Sequence, residues 1–407
     1  MSLPSSATAF AESQTAAKDA AASAPASAPV TTSQPEKPAM TTPAMIAAMT
    51  AVSERVSDLI FSPYRPPQVE LNGELVPVPN MPVLSIADTA RIAGDLIGSN
   101  KRALDTLKNE GSSDLSYSVS KVGRFRVNIF RQRGTYAIVM RVIPHHIPSI
   151  EELEIPPQLA EIASLKNGIV LVTGPTGSGK SSTLAAIIRL INETKAYHIV
   201  TIEDPIEFIH PHNKSTVHQR ELHSDTPTFG LALRAALRQA PKVILVGEMR
   251  DKETIEIAMM AAETGHLVFS TLHTIDASKT VERIIGEFPL SDQGAIRNRL
   301  SQSFRYIVSQ RLMPRKDGAG RVAAVEILRS SMRTREYILK GEADGRSLVD
   351  AMEDGDLDGM QHFDGVLERY VREGIITRQT ALTYASNSTN LALALSDLPD
   401  EESEFEP

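Results

Sequence analysis

A chain of 407 residues with 42% hydrophobic residues is too long for one ordinary domain and apolar enough to fill more than one core. It has no cysteine, which excludes disulfides and cysteine-ligated zinc. Its net charge of −8 lacks the Lys and Arg surplus from which a dedicated nucleic-acid binder gains affinity.

No apolar run reaches the roughly 18 residues of a membrane helix, and no basic segment leads into an apolar stretch at the N-terminus, so neither a transmembrane segment nor a secretory signal is expected. Residues 1–42 are rich in Ala, Ser, Thr and Pro. Such a segment cannot offset its ordering entropy by burial, and a disordered tail is expected. Residues 43–145 read as a small α+β domain. Pro43 to Leu59 looks helical. Val69 to Leu71 and Glu74 to Val78 are strand-like, with Asn72-Gly73 as a hairpin turn between them. Ser85 to Glu110 reads as one helix, and Leu115 to Val119, Gly123 to Phe130 and Tyr136 to Val142 as three strands. Pro144, Pro148, Pro156 and Pro157 mark a linker at 146–157.

Between residues 158 and 290, apolar strands alternate with helical patterns. The strands are Ile169 to Thr173, His198 to Ile202, Val243 to Val246 and Leu267 to Thr271. This alternation predicts a parallel sheet covered by helices. Residues 291–395 read as mostly helical. Residues 396–407 carry Asp397, Asp400, Glu401, Glu402, Glu404 and Glu406 without a basic residue, which predicts an acidic disordered tail.

The stretch Gly174-Pro175-Thr176-Gly177-Ser178-Gly179-Lys180-Ser181 matches G-x-x-x-x-G-K-[ST]. The strand that precedes it and the helix that follows it, with Leu184, Ile187, Ile188 and Ile191 at helical spacing, supply the setting a phosphate loop requires. Glycines let backbone N–H groups turn inward around phosphates, and the helix N-terminus adds a favourable dipole. Lys180 is expected to bridge the β- and γ-phosphates of ATP, and Ser181 to ligate Mg²⁺; Ser182 follows at the helix start. The predicted activity is Mg²⁺-dependent hydrolysis of ATP to ADP and phosphate.

Hydrolysis also needs a group that orients or activates water, placed at the carboxyl end of a neighbouring strand. Glu203 and Glu248 both stand at such ends, and either could reach Mg²⁺ through water. His273 follows the Leu267 strand and could sense the γ-phosphate. Arg234 and Arg238 lie four apart, ahead of the Glu248 strand, and Arg124, Arg126, Arg131, Arg133 and Arg141 cluster in the first domain. Arginine stabilises charge on the transferring phosphoryl group.

Four blocks occur in order: the phosphate loop, the acidic box Thr201 to Phe208, Val246-Gly247-Glu248-Met249-Arg250-Asp251, and the histidine box Gly265 to Thr274. Together with Gly123 to Asn128, Ser309-Gln310-Arg311-Leu312 and Gly359 to Asp364, they resemble the hexameric type II/type IV secretion ATPases, and within these the type IV pilus retraction ATPases (PilT/PilU-like), over roughly residues 45–395. The resemblance implies an α/β protein with a RecA-like P-loop ATPase core, a smaller N-terminal PAS-like α+β domain and a C-terminal helical region. It implies a ring of six, with ATP between one subunit's core and the neighbouring N-terminal domain. Glu248 then corresponds to the Walker B glutamate, Glu203 to the acidic box, His266 and His273 to the histidine box, and Arg126, Arg141, Arg234 and Arg238 to nucleotide-contacting arginines.

The implied function is a cytoplasmic motor, peripheral to the inner membrane at the pilus base, which acts on an inner-membrane platform protein to drive pilus retraction and twitching motility. A paralogous pilus ATPase is a further implied partner, and nucleic acid is not one. The alternatives are an accessory or non-catalytic ring subunit that assists a partner motor, or a related secretion or DNA-transfer ATPase. The chain departs from the family at Ser57-Asp58-Leu59-Ile60, where Ser-Asp-Leu-His is usual, and at Thr334 to Leu339, where the retraction branch carries Ala-Ile-Arg-Asn-Leu-Ile.

Overall fold

The computed structural model describes residues 40–144 and 146–398. The tail expected over 1–42 therefore lies outside the described residues up to 39, and that over 396–407 from 399 onward. The described residues divide into two compact units that meet in sequence at residue 145.

The first unit runs α1 (Thr42–Thr50), β1 (Val56–Phe61), β2 (Gln68–Leu71), β3 (Glu74–Pro77), α2 (Ile86–Ile97), α3 (Lys101–Glu110), β4 (Ser112–Val119), β5 (Gly123–Gln132) and β6 (Thr135–Ile143). Its strands form one antiparallel sheet in the order β3-β2-β1-β6-β5-β4. Asn72 and Gly73 both take positive φ, 54° and 89°, as the two-residue hairpin requires. Two expectations change. The helix expected over Pro43 to Leu59 stops at Thr50, because Val56, Leu59 and Phe61 are buried on a strand that pairs with β2 and β6. The single helix expected over Ser85 to Glu110 is two: Gly98 at φ 53° ends the first, and Asn100 caps the second by accepting from the Ala103 N–H at 3.0 Å.

The second unit opens with residues that the prolines suggested would be linker. Ile147, Ile150 and Ile155 are buried, and the last two pack on the core of the sheet; apolar side chains at that spacing are drawn to the core despite the prolines around them. After a 3-10 stretch at Pro157–Ser164 come β7 (Gly168–Thr173), α4 (Lys180–Thr194), β8 (His198–Glu203), β9 (Thr216–Glu221), α5 (Phe229–Ala236), β10 (Val243–Val246), α6 (Lys252–Glu263), β11 (Leu267–Leu272), α7 (Ala277–Gly286), α8 (Leu290–Ser303), β12 (Phe304–Pro314) and β13 (Arg321–Arg329). Then follow α9 (Met332–Lys340), α10 (Leu348–Glu353), α11 (Phe363–Arg372), α12 (Arg378–Tyr384) and α13 (Ser388–Ala394).

The sheet order is β13-β12-β7-β11-β10-β8-β9, parallel throughout except for β13. Side chains alternate between two apolar layers: Ile169 and Leu171 pack on the face with α5 to α8, Val170 and Val172 on the face with α4. The core expected to close at 290 thus gains two strands from the region read as mostly helical. Buried Ser309, Gln310 and Glu326 broke the apolar pattern of those strands in the sequence. α11 to α13 bury Phe363, Leu367, Tyr370, Ala381 and Leu391 against Met313, Val322 and Ala324 of the β12–β13 pair.

What this topology fixes for function is one edge. Parallel pairing of Leu272 with Thr173, Val246 with Ser270 and Val246 with Ile202 aligns the carboxyl ends of β7, β11, β10 and β8. Ligands bind beyond such ends in open α/β sheets.

Candidate active site

β7 is buried along its whole length and delivers the chain into the glycine loop. Gly174 has φ 141°, and a Cβ there would stand 2.4 Å from the Gln310 carbonyl oxygen, so this position cannot carry a side chain. Gly177 and Gly179 have φ 79° and 91° with open space around them. They are required by backbone conformation, not by crowding. Gly179 is the N-cap of α4 and offers no side-chain cap, so the first N–H groups of α4 remain donors for an anion. The Ser178 hydroxyl is buried with no partner. Lys180 is buried, and its ammonium donates to the Gly174 and Pro175 carbonyls at 2.8 and 2.9 Å. Burial lowers its pKa, against which the carboxylates of Glu207 and Glu248 pull upward. An uncapped helix, an orphan hydroxyl and a cation turned onto the loop fit a polyphosphate.

The loop opens on a cleft of about 580 Å³ lined by Thr176, Gly177, Gly179, Lys180, Ser181 and Ser182 on one side and by Glu203, Glu207, Glu248 and His273 on the other. Glu203 is the last residue of β8. Its Oε1 accepts from the Thr201 hydroxyl at 2.6 Å and from the Gln219 amide at 3.1 Å. Burial nonetheless pushes its carboxyl up to about 7, with those two donors and the Glu207 backbone N–H opposing the rise. Glu248 stands two residues beyond β10, its side chain only 12% exposed. It pairs with Arg250 at 2.6 Å and lies 3.7 Å from His273 Nε2. Thr271 anchors the same edge by donating from its hydroxyl to the Gly247 carbonyl at 2.6 Å. Ser181, Glu203 and Glu248 are oxygen donors on one cleft, which suits a hard divalent cation such as Mg²⁺.

Three other expected residues of this unit do not line this cleft. His266 precedes β11, at the opposite end of the strand from His273. Its backbone carbonyl accepts from Gly168 N–H, at the start of β7, and its ring sits 2.9 Å from the Ala261 carbonyl. The six residues of β11 separate it from this cleft by roughly 20 Å, and its ring is held at the end of α6. Arg234 pairs with Glu253 at 3.0 Å on α5, whereas Arg238 lies beyond the end of that helix and is exposed. Neither lines the cleft. Arg126 and Arg141 belong to the first unit, where they are exposed cross-strand neighbours on β5 and β6, and Arg141 pairs with buried Asp58 at 3.0 Å.

Sequence reasoning passed over Arg250, Gln219 and His210. Arg250 stood inside a quoted block without a role. His210 is buried in the cleft wall, and burial lowers its imidazole pKa to about 4. Nothing in local spacing pointed to Gln219, which reaches Glu203 only because β9 pairs with β8.

Comparison with known proteins adds three findings. The sequence model of the family described as type II/IV secretion system protein matches residues 108–350. A twitching motility protein of Neisseria gonorrhoeae is 44% identical over 326 residues, covering 80% of this chain and 86% of that protein. The type IV pilus retraction ATPase PilT of Pseudomonas aeruginosa is 42% identical over 331 residues, covering 81% and 94%. A crystal structure of the pilus retraction motor PilT with bound ADP superimposes with a TM-score of 0.75 at 41% identity, covering 84% of this chain and 98% of the other.

Proposed function

The chain belongs to the type II/IV secretion system protein family, among the PilT-like pilus retraction ATPases, and from that premise we propose how its own residues turn over ATP and what the turnover drives. It is an ATPase with a RecA-like core, and its work is pilus retraction. The observation that carries the mechanism is that Lys180, Ser181, Glu203, Glu248 and His273 all open on one cleft.

The N-terminus of α4 and the backbone of residues 174–179 bind the phosphates, and Lys180 moves from its carbonyl partners to the β- and γ-oxygens. Mg²⁺, when bound, neutralises phosphate charge; Ser181 would hold it, with Glu203 or Glu248 acting through water. The oxygen of a water attacks the γ-phosphorus as the bond to the ADP oxygen breaks, and a carboxylate takes the water's proton. Glu248 fits this base role best. It lies beyond the strand between β11 and β8, with His273 and Arg250 beside it to orient it. Glu203 shares the water or the metal shell. Arg126, Arg141, Arg234 and Arg238 contribute cationic contacts to nucleotide in the assembled motor, which we take to be a homohexamer.

The ring acts on a platform protein of the inner membrane at the pilus base, from the cytoplasmic side, and cooperates there with a paralogous pilus ATPase. No helix among the described residues is long and apolar enough to cross a membrane. Deleting the gene and scoring surface pili and twitching tests this reading: hyperpiliated, non-twitching cells support it, and bald cells overturn it. Mass measurement of the purified protein with nucleotide tests the ring.

A further inference from the structure

β9 is the edge strand of the large sheet and contributes no residue to the phosphate loop, yet its Gln219 side chain is hydrogen-bonded to Glu203 of the cleft wall. The Gln219 amide nitrogen donates to Glu203 Oε1 at 3.1 Å and to the Phe208 carbonyl at 2.8 Å. Its amide oxygen accepts from the His210 backbone N–H at 2.8 Å. These partners fix the amide's orientation, since the inverted amide would set its oxygen against two acceptors and its NH₂ against a donor.

We propose that Gln219 is a positioning residue for ATP hydrolysis, which locks the Glu203 carboxylate to the loop of residues 204–210 and acts on turnover only through Glu203. The proposal rests on the reading above that Glu203 takes part in turnover.

Two features make the lock directional. Glu203 Oε1 is held from two strands at once, by the Thr201 hydroxyl of β8 at 2.6 Å and by Gln219 of β9. A carboxylate held by one donor can swing about its last torsion; two donors on different strands remove that freedom. The loop is also tied to β9 a second time, by buried Glu221, whose Oε2 accepts from the Ile206 N–H at 3.1 Å. Glu203, Glu207, Phe208 and His210 all line the cleft, so the loop that Gln219 holds forms the wall opposite the phosphates. Reaction rates fall steeply when a catalytic group is misplaced by an ångström. Gln219 touches neither loop nor helix of the phosphate site, so its loss should leave nucleotide affinity intact.

The test uses the full chain in five forms: wild type, Gln219→Met, Thr201→Val, Glu203→Ala and the Gln219→Met/Glu203→Ala pair. Steady-state hydrolysis is measured with Mg²⁺ and ATP, residual rates are read with protein in excess, and ADP affinity and thermal midpoint are taken alongside. Gln219→Met is expected to lower kcat about 10- to 100-fold, the range seen when a supporting hydrogen bond to a functional ligand is lost, with KM for ATP and ADP affinity within about twofold of wild type. The pair should be no slower than Glu203→Ala, because Gln219 has nothing left to position. Thr201→Val, which removes the other donor to the same oxygen, should show the same split and keeps the idea testable should Gln219→Met fail to fold. A multiplicative loss in the pair, a rise in KM at unchanged kcat, or wild-type kcat in both donor variants overturns the positioning role. Wild-type kcat in Glu203→Ala removes Glu203 from turnover and the proposal with it, whereas a slow Glu203→Ala beside an unaffected Gln219→Met sinks the positioning role alone.

Discussion

Glu248 Oε2 lies 2.6 Å from Arg250 Nε, and the two side chains differ sharply in exposure, 12% for the acid and 72% for the arginine. The carboxylate is thus set in the cleft wall and aimed by a partner two residues later that stands in solvent. Glu248→Gln removes the proton acceptor while keeping the shape. It is expected to lower turnover by about 10²- to 10⁴-fold with nucleotide binding retained. Arg250→Ala frees the carboxylate to turn and should cost about tenfold. ADP binding and single-turnover hydrolysis of both variants check this. Wild-type turnover in Glu248→Gln moves the base elsewhere.

The phosphate loop makes a separate prediction about its glycines. A methyl group at Gly174 would meet the Gln310 carbonyl at 2.4 Å and the Ser178 hydroxyl at 2.6 Å, at a φ of 141°. Gly177 has the same need for positive φ but open space. Gly174→Ala should therefore abolish nucleotide binding and destabilise the second unit by about 1–3 kcal/mol. Gly177→Ala should destabilise by only about 1–2 kcal/mol from backbone strain. Calorimetric binding and unfolding of the pair decide it, and equal effects would show that crowding at Gly174 is relieved.

The two histidines of the histidine box are expected to part company. His273 is 3.7 Å from Glu248, and His266 is hydrogen-bonded at the far end of β11. His273→Ala should lower kcat about 10-fold or more. His266→Ala should leave kcat per folded molecule unchanged and lower the thermal midpoint. A kcat defect in His266→Ala with an unchanged midpoint would return it to the site.

Legibility in the sequence follows the range of the interactions involved. The strand into the phosphate loop, the glycines and Lys180 are contiguous, and each is demanded by local geometry, so Gly174 to Ser181 could be read directly. Glu203 and Glu248 were legible one step further, since a charged residue after an apolar strand marks a sheet edge. The distance between His266 and His273 was not legible, because their proximity in sequence hides the length of β11 between them. β12 and β13 stayed hidden because Ser309, Gln310 and Glu326 are polar yet buried. Their partners lie on distant segments: Ser309 Oγ accepts a hydrogen bond from the Thr173 hydroxyl at 3.1 Å, and Glu326 accepts from Ser309 at 3.1 Å. Such pairs appear only when the sheet is assembled.

That buried acid makes the last prediction. Glu326 Oε1 accepts from the Ala277 N–H at the start of α7 and from the Ser309 hydroxyl. Burial raises its carboxyl to about 7, aided by the Asp276 charge, while the two hydrogen bonds and Arg311 pull the other way. An acid whose folded pKa lies above its unfolded value of 4.5 holds its proton in the folded state where the unfolded chain has released it. Stability is then greatest below 4.5, falls as pH rises to about 7, and is level above. The total is on the order of 3 kcal/mol, from about 1.4 kcal/mol per pKa unit. Glu326→Gln keeps a neutral side chain of the same shape at every pH and should remove this slope. Wild type and variant should match near pH 4.5 and diverge toward pH 8, with the variant the more stable. Glu203 has the same sign and His210 the opposite one, so only the difference between the two proteins isolates Glu326. Urea unfolding followed across that pH range reads it, and parallel curves would mean that the carboxyl ionises as freely folded as unfolded.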